Sequence, residues 1–160
     1  MDTNRLNNWL TLAANLGVIA GIVFLAFEIR QSNRIALVAN ETEIRKSYAD
    51  QNESIFTNKE SAELLARAAD ADAEFDGTEL EMLSAYVYTA LNIWSAVEIG
   101  YENGMLPRQT LLDAQDDVCS YIKYYPAMHA ILRSAMDDFP SGNDSKIYRT
   151  IKQSLDEANQ

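Results

Sequence analysis

Residues 9–27 contain no Asp, Glu, Lys or Arg, and this run constrains the chain more than any other feature. At about 1.5 Å per residue, 19 helical residues reach close to the ~30 Å hydrocarbon core of a bilayer. Leu10, Leu12, Leu16, Val18, Ile19, Ile22, Val23, Phe24, Leu25 and Phe27 each favour insertion by roughly 0.3 to 0.6 kcal/mol near a span's centre, which outweighs the polar cost of Thr11 and Asn15. Trp9 stands at the end of the run, where an amphipathic ring suits the membrane interface. Asn7-Asn8 precedes it and Glu28-Ile29-Arg30 follows.

Three readings compete. A cleaved signal peptide needs a shorter apolar stretch and a small-residue site just behind it, and no Ala-x-Ala follows Phe27. The buried central helix of a soluble bundle is apolar all round, and a short polar stripe of Asn8, Thr11 and Asn15 speaks for it. The preferred reading is a membrane span, because the run passes the ~18-residue threshold. Contact with lipid is then expected through residues 9–27. Flanking cations set the orientation: Arg5 and the amino terminus lie on one side, and Arg30, Arg34, Arg45 and Lys46 on the other. That bias puts the body of the chain in the cytoplasm. Ala13, Gly17 and Gly21 recur every four residues. Such a small-residue face lets two helix backbones approach in lipid and offers a homodimer contact; the alternative is that glycine is simply tolerated there.

The remainder reads as all-α. The chain holds only 6 Gly and 3 Pro, with none between Gly21 and Gly77, so the first helix is predicted to run on past Arg30 as a stalk. Leu37, Ile44, Tyr48 and Ile55 form its apolar stripe, interrupted by Glu41 and Gln51. The expected organisation is an anchor over residues 1–30 and an acidic antiparallel bundle over residues 31–160. Asn58 is a plausible N-cap for a short helix carrying Leu64, Leu65 and Ala68. Residues 70–77 read as an acidic loop. Thr78 and Glu81 then fit a capping box, opening a helix whose seam is Leu80, Leu83, Val87, Ala90, Trp94, Val97 and Tyr101. Gly100 weakens its last turn, and Asn103-Gly104 ends it. Pro107 is placed as the first residue of the next helix, lined by Leu111, Val118, Ile122 and Tyr125. Pro126 breaks the chain. Met128, Ile131, Leu132, Ala135 and Phe139 mark a further amphipathic helix. Pro140-Ser141-Gly142 is a turn, and residues 143–145 offer caps for a last helix bearing Ile147, Tyr148, Ile151 and Leu155.

A formal net charge of −11 argues against nucleic acid, whose phosphates need a cationic face. The single cysteine, Cys119, cannot form an intrachain disulfide and is expected as a small buried apolar side chain. The single histidine, His129, has no acid three or four residues away and is expected as a partly exposed helix residue. No nucleophile elbow, phosphate loop or dinucleotide fingerprint occurs, and no cofactor is implied. Asp70, Asp72, Glu74 and Glu81 approximate the spacing of a calcium-binding EF-hand loop, but Phe75 occupies the position where glycine is required, so a solvated linker is preferred. Asp116-Asp117 and Asp137-Asp138 are read as solvated faces. Tyr86, Tyr88, Trp94, Tyr101, Tyr121, Tyr124 and Tyr125 form an aromatic set, read first as core packing. The functional alternative is a ligand pocket among Trp94, Tyr101 and Tyr121.

Residues 17–34 resemble the start of a family of small bacterial proteins without an assigned activity, in which an apolar helix ends in a Leu-Ala-x-x-Ile-Arg-Gln-x-x-Arg signature. Leu25, Ala26, Ile29, Arg30, Gln31 and Arg34 match it. Residues 60–68 are similar to the family's short Glu-Leu-Ala helix. Residues 94–107 are similar to a Glu-x-x-Tyr-x-x-Gly-Leu helix end, matched by Glu98, Tyr101 and Gly104, with Met105 in place of Leu. The family's aromatic pair is absent after Pro126, where Ala127, Met128, His129 and Ala130 stand. The resemblance implies a membrane-anchored helical domain, placed with a single span in a bacterial inner membrane, and carries over no catalytic residue. Two functions follow as expectations: an interaction module with a protein partner of unknown identity, or a small-ligand-binding or enzymatic helical bundle with an aromatic-lined pocket.

Overall fold

The computed structural model describes residues 3–138 and 144–158. Helix α1 spans Thr3–Phe56, α2 Lys59–Ala68, α3 Gly77–Glu102, α4 Arg108–Tyr124, α5 His129–Asp138 and α6 Lys146–Glu157, with a 3-10 turn at Pro126–Met128. The described residues contain no strand, so the all-α class holds. Phe139, the turn at residues 140–142 and Asn143 lie outside the described residues.

The chain divides into two compact units, Met1–Ala39 and Asn40–Gln160, and α1 contributes to both. In the first unit the apolar side chains face outward on every side of the helix. The large ones between residues 9 and 27 range from 55% exposed at Leu12 to 70% at Trp9, and none of this stretch is buried. The helix is long and apolar enough to cross a membrane. The Thr11 hydroxyl donates to the Asn7 carbonyl at 2.9 Å, the local bond by which a polar side chain is satisfied within an apolar helix. Residues 31–39, read from sequence as part of the acidic domain, belong to this first unit. All are exposed, and it is Asn40 whose side chain first bonds into the bundle, donating to the Met105 carbonyl at 3.3 Å.

The second unit is built around α3, which packs against α2, α4, α5 and α6. Its seam is buried from Leu83 to Val97, while Leu80 at one end is exposed and Tyr101 at the other is half-buried. Leu91 and Ile93 are buried as well, because a helix with neighbours on several sides needs more than one apolar stripe. Leu111, Ala114, Val118, Tyr121 and Ile122 of α4, Leu132 and Ala135 of α5, and Ile147, Ile151 and Leu155 of α6 complete the core. Ile44, Tyr48 and Ile55 of α1 pack half-buried against it, as their spacing predicts.

Helix ends show how the sequence encodes these elements. Asn58 caps α2, its Oδ1 accepting from the Glu60 amide at 3.0 Å. The capping box of α3 lies two residues earlier than the sequence suggests: Asp76 Oδ1 accepts from the Glu79 amide at 2.9 Å, and Glu79 Oε2 accepts from the Asp76 amide at 3.0 Å. Arg67 decides between the two frames, since its guanidinium binds both Glu79 oxygens and the Glu74 carbonyl and lies 4.9 Å from the Phe75 ring. The acidic linker is thereby pinned, and Thr78 falls inside the helix. The Pro107 boundary also moves by one residue, since Pro107 is the extended N-cap and α4 begins at Arg108.

At the end of α3, Gly104 adopts φ +68°. Its amide donates to the Tyr101 carbonyl at 3.0 Å, and the Met105 amide to the Gly100 carbonyl at 2.7 Å, the paired bonds of a Schellman motif. Gly100, read from sequence as a weak point, has a positive role. A Cβ there would sit 2.6 Å from Leu106 Cδ1, so its absence lets buried Leu106 fold back onto the helix. We expect Gly104→Ala to destabilise the second unit by about 1–2 kcal/mol and Gly104→Asn by less, because Asn tolerates the left-handed region. Shifts in urea midpoint would measure both.

Candidate functional site

The residues proposed from sequence fall into three separate places. Ala13, Gly17 and Gly21 lie on the exposed part of α1, and nothing comes within 4 Å of a Cβ built at either glycine. Trp94 and Tyr121 meet edge to face in the core, with ring centres 5.3 Å apart and planes at 88°. Tyr101 lies two turns further along α3, about 10 Å away by helix rise, beneath the Lys146 ammonium at 5.0 Å. Trp94 and Tyr121 are thus in contact, and Tyr101 lies apart from them along α3.

The aromatic cluster is a packed interior. Tyr86 stacks on Tyr121 at 5.8 Å, and Tyr125 meets Tyr121 edge-on at 5.3 Å. The Tyr121 hydroxyl donates to Met128 Sδ. Trp94 Nε1 donates to Asp117 Oδ2 at 2.7 Å, so Asp117 is a partner of the core and not merely a solvated charge. Asp138 has a similar role, accepting from the Tyr88 hydroxyl at 2.9 Å. Burial, reinforced by negative charge nearby, pushes the Tyr86 phenol up to about 12. Tyr48 and Tyr121 are raised further, chiefly by burial.

Glu98 is the one buried charged residue among those described. Its carboxylate accepts from the Ser145 hydroxyl, the Lys146 amide at 2.5 Å and the Ile147 amide at 3.1 Å. These groups form the start of α6, where unsatisfied amides and the helix dipole favour an anion. Glu98 thus joins α3 to α6. Lys146 also pairs with Glu102 at 3.1 Å. The Glu98, Tyr101 and Gly104 pattern seen in sequence marks this junction: the carboxylate caps α6, the ring carries Lys146 and the glycine turns the chain.

Cys119 is exposed, not buried, with Sγ 3.4 Å from Ser154 Oγ, because α4 turns its inner face through Val118 and Ile122 instead. His129 is half-buried, its Nε2 2.8 Å from the Ile122 carbonyl. In the acidic linker, Asp70 Oδ1 accepts from the Asp72 amide at 3.1 Å, while Asp76 caps α3. Among the described residues no three His, Cys, Asp or Glu side chains converge as a metal site would require.

A concavity lies elsewhere in the second unit, between the C-terminal part of α1, α2 and one face of α3. Its volume is about 720 Å³. Helix α1 contributes Ile44, Ser47, Asp50, Gln51, Ser54 and Ile55; α2 contributes Ser61, Leu64 and Leu65; and α3 contributes a stripe from Met82 through Tyr86 and Thr89 to Ile93 and Ala96. Gln51 Nε2 is itself inaccessible and has no hydrogen-bond partner among the described residues. Sequence reading took Gln51 only as an interruption in a stripe. The available signal was the run of small residues Ser47, Ser54, Ala85 and Ala96 at helical spacing, which leaves a hollow between α1 and α3 instead of closing it.

Comparison with protein-family models, with curated proteins and with solved structures matches this chain to none of them.

Two outcomes test the geometry. Trp9 and Trp94 are the only tryptophans, so in a Trp9→Phe background Trp94 fluorescence reports on the second unit. There Glu98→Ala, which strands the α6 amides, is expected to cost about 3 kcal/mol, and Glu98→Gln about half as much. The raised phenols predict alkaline lability. Their stabilising effect is complete below the ordinary value of 10.0 and is lost as pH rises through the higher folded values. Tyr86→Phe is expected to flatten that decline in an unfolding series from pH 9 upward.

Proposed function

We propose that this chain is a single-span membrane protein whose acidic helical unit serves as a tethered interaction module. The observation that supports this most directly is the outward-facing apolar surface of α1 over residues 9–27. Exposed apolar area costs roughly 25 cal/mol per Å² in water, and contiguous patches of this kind are not left bare. A bilayer removes the cost along the whole helix, whose backbone bonds are all internal. The resemblance of residues 17–34 to membrane-anchored bacterial proteins agrees with it. Arg30, Arg34, Arg45 and Lys46 favour a cytoplasmic location for the second unit at an inner membrane. Ala13, Gly17 and Gly21, with open space around both glycines, provide the surface through which two copies would associate.

After alkaline carbonate washing the full-length product is expected in the membrane pellet; recovery of a folded, monodisperse protein in the supernatant would rule the anchor out. Crosslinking in membranes should yield dimers that weaken with Gly17→Leu or Gly21→Leu. Cys119, single and exposed, reports topology: a membrane-impermeant maleimide should label it only after spheroplasts are lysed, and labelling of intact spheroplasts would reverse the orientation.

A further inference from the structure

The apolar surface of α1 does not stop where a bilayer would. Ile35 and Val38 are 62% and 59% exposed, within residues 31–39, all of which are exposed. By helix rise they lie about 12 and 16 Å beyond Phe27, past the roughly 5–8 Å of headgroup on either side of the hydrocarbon. Lipid tails therefore do not solvate them. We propose that residues 17–38 of α1 form a parallel two-stranded seam with the same residues of a second copy, so that the pairing continues out of the membrane into water. This inference rests on the anchored reading of α1 and deepens it, naming the hand of the pairing and the residues that extend it.

Spacing supports it first. Gly17, Gly21, Phe24, Glu28, Gln31, Ile35 and Val38 follow one another at intervals of four, three, four, three, four and three. That alternation is the heptad seam of a coiled coil. Helix α1 runs unbroken through all of them, and all are exposed. Ile35 comes about five turns after Gly17, so it returns to the same side of the helix. A partner that meets Gly17 and Gly21 in lipid is thus aligned to meet Ile35 and Val38 in water. The repeat also sets the hand: a left-handed pair crossing near +20°, in contrast to the right-handed crossing of an isolated Gly-x-x-x-Gly pair.

The polar members of the seam point to a second copy as the partner. Two copies inserted in one orientation carry the seam residues at matching depths, so that Phe24 meets Phe24, Gln31 meets Gln31 and Ile35 meets Ile35. Each Gln31 amide can donate an N–H to the other's oxygen, the kind of polar seam contact that fixes register. A partner with an unbroken apolar face would leave Glu28 and Gln31 without polar company. Symmetry has one cost, since Glu28 meets its own counterpart and like charges oppose the contact. Arg30 and Arg34 stand roughly 160° and 120° round the helix from Glu28 and do not relieve it. That cost is the signature of a symmetric pair.

The test uses the full chain in membrane vesicles, with Cys119→Ser removing the native thiol and a carbonate wash recording whether the product is membrane-bound. Ile35→Cys, Val38→Cys, Asn33→Cys and Ala36→Cys are oxidised briefly with copper phenanthroline, and dimers are read on non-reducing gels. Ile35→Cys and Val38→Cys are expected to give about fivefold more disulfide-linked dimer than Asn33→Cys and Ala36→Cys, which the helix turns away from the seam. Adding Gly17→Leu should lower the Ile35→Cys dimer about fivefold, and adding Glu28→Gln should raise it about twofold. Product in the carbonate supernatant would overturn the anchored reading and the seam with it. Membrane-bound product that crosslinks as well through Asn33→Cys and Ala36→Cys, seam dimers indifferent to Gly17→Leu, or no gain with Glu28→Gln would overturn the seam alone.

Discussion

Solvation of the N-terminal part of α1 is the constraint on which the rest of the structure depends. A helix satisfies its own backbone, but its side chains must still be placed in a medium they tolerate. Between residues 9 and 27 they are exposed among the described residues. The second unit shows the opposite solution. There α3 is surrounded by four helices, and its Leu, Val and Trp side chains are removed from water by packing. The same physical demand is thus met by intramolecular burial in one unit and left for the surroundings to meet in the other.

The second unit also shows how polar groups place helices once apolar burial has gathered them. Glu98 fixes the start of α6 against α3, Arg67 fixes the acidic linker against the start of α3, and Asp117 holds the Trp94 indole. Glu98 and Asp117 each offer a carboxylate acceptor to a donor with restricted access to water, where such bonds are stronger than their solvated counterparts; Arg67 is itself the donor and stays partly exposed. They add direction to a core whose apolar contacts are themselves non-directional.

Elements governed by local chemistry could be read from the sequence. Asn58 as a cap, Gly104 as the left-handed residue, the break at Pro126 and the buried faces of α3 and α6 each depend on residues within a turn or two of one another. What could not be read was long-range. The α3 capping box shifted because Arg67, a dozen residues away, selects Glu79. The reason for Gly100, the packing of Leu106, is likewise not in its own turn. Cys119 was placed inside because composition alone does not give the phase of α4. The contact of Trp94 with Tyr121 joins α3 to α4 and is likewise long-range, while Tyr101 lies two turns further along α3. The groove went unseen because a hollow is made by small side chains on two helices that are distant in sequence.

Because α1 supplies residues to both units, the order of synthesis matters. Translation at about 5–20 residues per second makes the segment around Ile19 available many seconds before Leu155, on which the α6 contacts depend. Ile44, Tyr48 and Ile55 are made early, while much of the surface they cover is made late. During that interval the nascent polypeptide exposes a half-apolar stripe with no finished core to receive it, the kind of surface that chaperones engage.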